Sequence, residues 1–163
     1  MGKKLIVYYS MDGNTRQIAQ RIQAEIGVPL VELETVVPYT GTDEEIITQG
    51  QEEVNRGYRP DLRPLDVNLE EYGTLLVGTP TWWYTMAPPV LSFLSLVDWR
   101  GKTLVPFQTH AGWPGHCLED MERICQGAEV RYPMKIHFSP QQFGERLTLQ
   151  RELESWLAKI ETL

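Results

Sequence analysis

Short polar residues and one glycine between residues 10 and 15 have the clearest potential for chemistry. The segment Ser10-Met11-Asp12-Gly13-Asn14-Thr15 follows an apolar run and precedes an amphipathic one. The first amide groups of a helix have no partner inside that helix and carry the positive end of its dipole, so they can bind a phosphate without Lys or Arg. We therefore predict an anion site here, and these residues alone leave an ordinary strand-to-helix turn as the alternative.

Aromatic side chains follow two later apolar runs. Trp82, Trp83 and Tyr84 stand in a row, and Trp113 lies in a separate stretch that contains Gly and Pro. Three adjacent aromatic residues are difficult to bury together, because successive positions face different directions. Such rings could stack on a flat ligand, each good pair adding roughly 0.5–1.5 kcal/mol. A phosphate site combined with aromatic walls fits flavin mononucleotide (FMN).

These stretches can act together only if the fold brings them to one edge. Apolar runs without alternation at 5–9, 74–78 and 103–107 predict strands covered on both faces. Alternating runs at 29–34 and 130–139 predict edge strands. The pattern predicts an α/β fold, a doubly wound three-layer sandwich whose five-stranded parallel sheet has the order 2-1-3-4-5 rather than 3-2-1-4-5. In that order the loops after strands one, three and four meet at the carboxyl end of the sheet.

Helical periodicity occupies the segments between the strands. The first helix is expected to stop at Gly27, and a second is predicted from 44 to 56 with Asp43 as its N-cap. The expected inward residues of that second helix are Ile46, Ile47 and Val54. The last helix is predicted over 144–160. Its expected buried residues are Leu149, Leu153, Trp156, Leu157 and Ile160.

Composition limits the classes of function. The 163 residues (18.8 kDa) fit one domain over 1–163, and a formal charge of −7 argues against non-specific nucleic-acid binding. The sequence has no apolar run of the roughly 18 residues that a membrane span needs, and its start lacks the features of a signal peptide. Cys117 and Cys125 lie on one predicted helix about 12 Å apart, too far for a disulfide. We therefore expect a cytoplasmic protein with two free cysteines.

The three loops resemble those of the flavodoxin family. That family's phosphate loop has Ser or Thr, a variable residue, Thr, Gly, another variable residue and Thr, which compares with residues 10–15. The run from Val77 through Trp83 to Pro89 resembles the bacterial flavodoxin-like branch with a Trp-Trp second loop, and 109–112 resembles its third loop. The resemblance covers nearly the whole chain. It implies an FMN-binding electron carrier of the short-chain type.

The resemblance also implies which residues hold the cofactor. They are Ser10, Met11, Asp12, Gly13, Asn14, Thr15, Thr79, Pro80, Thr81, Trp82, Trp83, Tyr84, Thr109, His110, Ala111, Gly112 and Trp113. The amides of 11–15 and the hydroxyls of Ser10 and Thr15 are expected on the phosphate. Asp12 departs from the family, which usually has Thr there, and its carboxylate would repel a phosphate. We expect Asp12 to point to solvent or to cap the turn.

The expected activity needs no catalytic side chain and no metal, because a flavin supplies the redox chemistry and the protein holds and tunes it. A negatively charged, aromatic-walled site should disfavour an added electron and give a low reduction potential. His110 and His116 flank the third loop, so either could make the potential depend on pH; the alternative is that each is only a capping or surface residue. Such a carrier would work with redox partner proteins as a monomer or weak dimer.

Three other functions remain open from the sequence. An NAD(P)H-dependent quinone or metal reductase would use the same flavin fold but needs room for a nicotinamide, which Trp83 or Trp113 could block. A phosphoacceptor receiver domain shares the strand order, but Gly78 and Thr79 stand where it requires Asp. A flavin-free interaction module would use the row of aromatic residues as a protein contact.

Overall fold

A computed structural model describes residues 2–163 as one sheet with helices on both faces. The strands are β1 (Lys3–Tyr8), β2 (Leu30–Glu32), β3 (Tyr72–Trp82), β4 (Thr85–Met86), β5 (Thr103–His110), β6 (Glu129–Val130) and β7 (Met134–His137). The helices are α1 (Asn14–Ile26), α2 (Asp43–Asn55), α3 (Pro88–Leu96), α4 (Cys117–Ile124) and α5 (Gln150–Glu161), and a 3-10 turn covers Leu69–Glu71. Within 2–163, no helix is both long and apolar enough to cross a bilayer.

The sheet has the strand order predicted from the sequence. Its order is β2-β1-β3-β5-β6, all parallel, and β7 also pairs with β5 further along that strand. Because β6 and β7 together take the fifth position, the order 2-1-3-4-5 is confirmed. The short strand β4 is an addition, pairing antiparallel with the end of β3.

Two apolar cores, one on each face of the sheet, give the three layers. On one face α1 and α5 pack through residues such as Ile18, Ile22 and Trp156. On the other face α3 and α4 pack through Phe93 and Met121, among others. The unalternated strands β1, β3 and β5 supply both cores, as expected for strands covered on both sides.

Three strands differ from their predicted form, and one of them is β5, which continues beyond the predicted 103–107 so that Thr109 and His110, predicted in the third loop, end this strand. The predicted continuous strand over 130–139 is broken between β6 and β7, where Tyr132 has a left-handed φ of 50° and Pro133 has no amide to donate. In contrast, β3 continues to Trp82, so residues 79–82, which were predicted to form a loop, are part of a strand. The second loop is thereby reduced to a two-residue hairpin turn between β3 and β4.

The start of α2 differs from the prediction, which had Asp43 as the cap. Thr42 is the N-cap: its Oγ1 accepts the Glu45 amide hydrogen at 3.2 Å, and the Glu45 carboxylate accepts from the Thr42 amide in return. Ile47, predicted to face inward, is exposed. Gly50 and Glu53 are the buried residues of this helix instead.

The last helix is shorter than predicted. It begins at Gln150 instead of 144, and Leu149, predicted to be buried, is 50% exposed. The predictions that α1 ends at Gly27 and that the two cysteines are unbridged are confirmed. Gly27 ends α1 with a left-handed φ of 67°, as expected for a C-terminal glycine. Cys117 and Cys125 are buried and unbridged, and burial raises the pKa of the Cys125 thiol to about 12.

Candidate functional site

The loop between β1 and α1 presents backbone amides that have no partner. Ser10 Oγ accepts the amide hydrogens of Gly13 at 3.1 Å and Arg16 at 3.2 Å. Gly13 has a φ of 99°, and a Cβ built on it would meet nothing within 4 Å, so the space beside the loop is open. Within residues 2–163, no hydrogen bond is formed by the amides of Met11, Asp12, Asn14 and Thr15. Unpaired amides at a helix start are the groups that bind an anion.

The side chain of Asp12 is exposed, as expected from the sequence. It does not cap the turn: Gly13 is the N-cap of α1, and the Ser10 hydroxyl is the side-chain group that accepts the Gly13 and Arg16 amide hydrogens. The Asp12 carboxylate lies at the edge of the amide loop, where the family that this loop resembles usually has the hydroxyl of a Thr. It therefore places negative charge next to the proposed anion position.

A buried hydrogen-bond chain connects all three predicted loops. The hydroxyls of Thr15 and Thr109 lie 2.8 Å apart, and Thr81 Oγ1 donates to the Thr109 carbonyl at 2.9 Å. Gln108 Nε2 donates to Thr81 Oγ1 at 2.8 Å and to the Pro114 carbonyl at 3.1 Å. Thr15, Gln108 and Thr109 are at most 3% exposed. Thr15 and Thr109, predicted as cofactor ligands, are thus placed where they hold the loops together.

One residue of this hydrogen-bond chain, Gln108, has a side-chain oxygen that accepts no hydrogen bond. Gln108 Oε1 is the one buried side-chain N or O atom, within the described part of the chain, that forms no hydrogen bond. A buried acceptor without a donor costs roughly 1–3 kcal/mol. The chain is therefore incomplete at the point where the second and third loops meet.

The turn between β3 and β4 is strained. Trp83 and Tyr84 are its two central residues, with φ values of 49° and 68°. Two-residue hairpin turns with positive φ strongly favour Asn and Gly, and an aromatic residue in this conformation costs of order 1–3 kcal/mol. Both rings are largely accessible, at 41% and 53% exposed, so core packing does not explain their presence. Strain of this kind is concentrated at functional sites.

The residues around this turn are fixed by polar and aromatic contacts. Thr79 is fully buried; its Oγ1 accepts the Ala87 amide hydrogen at 3.0 Å and donates to the Pro80 carbonyl. Trp82 packs edge-on against Tyr39, with ring centroids 5.2 Å apart. Thr79 therefore supports the hairpin from inside, whereas Trp83 and Tyr84 beyond it are exposed.

The position of Trp82 depends on α2. A Cβ on Gly50 would lie 3.2 Å from the Trp82 ring, so glycine allows this close approach. Glu53 accepts a hydrogen bond from the Tyr39 hydroxyl at 2.7 Å, and Tyr39 in turn contacts Trp82. Burial, followed by the bond to Glu53, raises the pKa of Tyr39, so this hydroxyl stays protonated and acts as the donor.

The amide loop and the hairpin share one cavity of about 550 Å3, a size typical of ligand sites. Its lining residues are Met11, Asp12, Asp43, Ile46, Ile47, Gly50, Thr81, Trp82 and Trp83. The prediction missed the contribution of α2. The available signal was the scarcity of apolar residues on α2 beyond Ile46, Ile47 and Val54, which left no wide stripe for a core.

The third loop adjoins this cavity without lining it. The Tyr84 carbonyl accepts the His116 amide hydrogen at 2.9 Å, which joins the hairpin to the end of this loop. Ala111, Gly112 and Trp113 are exposed, and they do not appear among the cavity residues. The structure therefore unites the first two predicted loops in one cavity and places the third beside them.

His110 is held in its neutral form. Its ring stacks on His137, with centroids 4.8 Å apart and planes 12° apart, and its Nδ1 accepts the Gly112 amide hydrogen at 3.0 Å. Burial, followed by the charges of His137 and Lys135, lowers the pKa of His110 to about 4. At neutral pH this side chain therefore stabilises the third loop as a hydrogen-bond acceptor.

Comparison with known proteins identifies the class. The profile of the family described as Flavodoxin matches residues 3–160, so this chain belongs to the flavodoxin family. Comparison with curated proteins gives no match. Membership of this family excludes the receiver-domain alternative.

Solved structures show the same fold at low sequence identity. A Bacteroides eggerthii protein provisionally named a flavoprotein is 22% identical, with a TM-score of 0.79 over 100% of this chain and 99% of that one. A similarly named protein from Bacteroides uniformis has 21% identity and a TM-score of 0.80, covering 96% and 98%. A Lactobacillus acidophilus flavoprotein solved in complex with FMN has 21% identity and a TM-score of 0.71, covering 83% and 93%.

Proposed function

We propose that this protein binds FMN and carries electrons between redox partner proteins. One observation carries the proposal: the unpaired amide loop and the tryptophans of the strained hairpin line the same cavity. Membership of the flavodoxin family and the FMN complex of the L. acidophilus flavoprotein support the choice of cofactor. The flavin would supply the redox chemistry, and the protein would bind, orient and shield it.

The phosphate would be held by backbone amides. The candidates are those of Met11, Asp12, Asn14 and Thr15, which have no partner within residues 2–163. Ser10 Oγ accepts two amide hydrogens and keeps its own hydrogen to donate to a phosphate, and Thr15 keeps its hydrogen when Thr109 is the donor in their shared bond. The absence of Lys or Arg at the loop itself agrees with recognition by a helix start.

The ring would lie against the second loop inside the cavity and would extend toward the third loop, which adjoins the cavity. Trp82 and Trp83 give the cavity an apolar aromatic wall, and Tyr84 and Trp113 extend the accessible aromatic surface beside it. Backbone groups of residues 79–82 and 109–112 would reach the polar edge of the ring. Asp12 and Asp43 line the same cavity, and their charge would disfavour an added electron, which predicts a low reduction potential.

The cavity's charge favours a carrier over an NAD(P)H-dependent reductase. None of the described residues that line it is Lys or Arg, and two are carboxylates. A nicotinamide dinucleotide would bring at least two phosphates next to those carboxylates without a compensating cation.

We also propose a cytoplasmic location, because the two buried cysteines remain unbridged.

Analysis of the pigment is the direct test. The protein purified from cells should be yellow, and the released pigment should be FMN rather than FAD or riboflavin. FMN titrated into flavin-free protein should bind at one site, with riboflavin binding more weakly because it lacks the phosphate. The holoprotein should oxidise NADPH negligibly without an added reductase. A colourless protein that binds neither flavin would refute the proposal, and rapid NADPH oxidation would favour the reductase.

A further inference from the structure

A second cavity adjoins the candidate cofactor cavity at Trp83. It has a volume of about 510 Å3, and Trp83 is the one described residue that lines both. Its apolar walls include Met86, Leu91 and Ile124. The strained backbone of Trp83 therefore holds an indole ring between two separate cavities.

The second cavity is lined by arginines, which the first lacks. Arg59 and Arg123 both line it, together with the carboxylates Glu53 and Asp120, and both arginines also line a neighbouring surface cavity. Within residues 2–163, Arg59 forms no ion pair and no side-chain hydrogen bond. Arg59 is exposed, and a guanidinium without a partner beside an apolar cavity can pair with the anionic group of a ligand.

The carboxylates at this cavity are already engaged. Asp120 Oδ1 accepts from Arg123 at 2.9 Å, and its Oδ2 accepts from Thr85 at 2.6 Å and contacts His116. Both oxygens of Glu53 accept hydrogen bonds at 2.7 Å, from Tyr39 and Gln49. Neither carboxylate pairs with Arg59, which leaves that guanidinium available to a ligand.

We propose that the second cavity binds a small aromatic carboxylate. The carboxylate group would pair with Arg59, and the ring would pack against Trp83 and the apolar wall. The same ligand would be repelled from the first cavity by Asp12 and Asp43. This inference goes beyond electron carriage, and it does not require that FMN be bound.

The test measures 2-naphthoate binding to the full-length protein by isothermal titration calorimetry. We expect saturable binding at one site, weakened by added salt, and much weaker binding of the neutral analogue 2-naphthylmethanol. Arg59→Gln should weaken 2-naphthoate binding by about tenfold, which corresponds to one charge-assisted hydrogen bond. Arg63→Gln is the matched control, because Arg63 lies on the same segment, pairs with Glu34 and does not line the cavity.

Three results would overturn the proposal. They are the absence of saturable binding, an equal loss in both arginine variants, and displacement of 2-naphthoate by FMN or inorganic phosphate. Displacement would place the ligand at the amide loop instead. FMN binding is measured separately on the same variants, so failure of the FMN proposal and failure of this one give different results.

Discussion

The buried contact between Thr15 and Thr109 can be tested quantitatively, because each hydroxyl loses its partner if the other is removed. The two oxygens are 2.8 Å apart, and both residues are at most 3% exposed. Thr15→Val keeps the side-chain shape and leaves Thr109 Oγ1 unpaired. An unpaired buried hydroxyl costs roughly 1–3 kcal/mol. A loss of about 2 kcal/mol should lower the melting temperature of a chain this size by about 4–8 °C.

The double variant is the informative one. Thr109→Val alone should cost a similar amount, but Thr15→Val with Thr109→Val leaves neither hydroxyl unpaired. Its total cost should therefore be about 1–2 kcal/mol smaller than the sum of the single costs. Urea unfolding of flavin-free protein gives the four free energies of unfolding. Thr109→Ser is the control, because it keeps the hydroxyl and should keep most of the stability.

Additive losses would refute this reasoning, because they would mean that the two hydroxyls do not interact. The same proteins also separate loop positioning from direct ligand contact. If Thr15 binds phosphate directly, Thr15→Val should weaken FMN more than Thr109→Val does. If Thr15 acts through the first and third loops, the two single variants should weaken FMN by similar factors.

Three other changes test the core, the pH response and the phosphate loop. Gly78→Ala would place a Cβ 2.3 Å from the Phe107 ring, so it should destabilise the protein by about 1–3 kcal/mol in urea unfolding. The pKa of His110 falls from 6.5 to about 4 on folding, so the unfolded chain binds the proton more tightly and the free energy of unfolding should fall as the pH drops from 6.5 to 4. His110→Gln should flatten this dependence of the free energy of unfolding on pH. An unchanged dependence would show that His110 is not its source. Asp12→Asn should tighten FMN about two- to fivefold and leave riboflavin unchanged, and weaker FMN binding would contradict the repulsion assigned to this carboxylate.

The order of the strands in the sheet could be predicted because strands that are buried on both faces have continuous apolar runs in the sequence. Three unalternated apolar runs became β1, β3 and β5, and the two alternating runs became the edges. The extension of β3 to Trp82 could not be predicted this way. Thr79, Pro80 and Thr81 are typical loop residues, and they are accommodated in a strand because the two threonine hydroxyls bond to backbone carbonyls.

Features of the candidate site follow from the sequence where local chemistry decides them, and not where tertiary packing does. A helix start with a preceding glycine presents free amides whatever surrounds it, so the unpaired amides of the first loop could be predicted. The wall formed by α2 depends on how that helix lies against the hairpin. Ile47 was predicted to face the core because it is apolar, yet it lines the open cavity. Glu45, three positions after Thr42, is the sequence signal of the Thr42 cap, because the two residues form a capping box, whereas Asp43 has no such partner.

The hairpin turn gives the strongest reason to regard this edge of the sheet as functional. Asn-Gly at positions 83 and 84 would adopt the same left-handed backbone without strain, so the fold alone does not require aromatic residues there. Their rings are half-exposed, so burial repays only part of the cost. Trp83→Asn with Tyr84→Gly should therefore leave the sheet intact while removing ring contacts from both cavities. If that variant keeps wild-type affinity for FMN and for 2-naphthoate, the strained turn serves neither site.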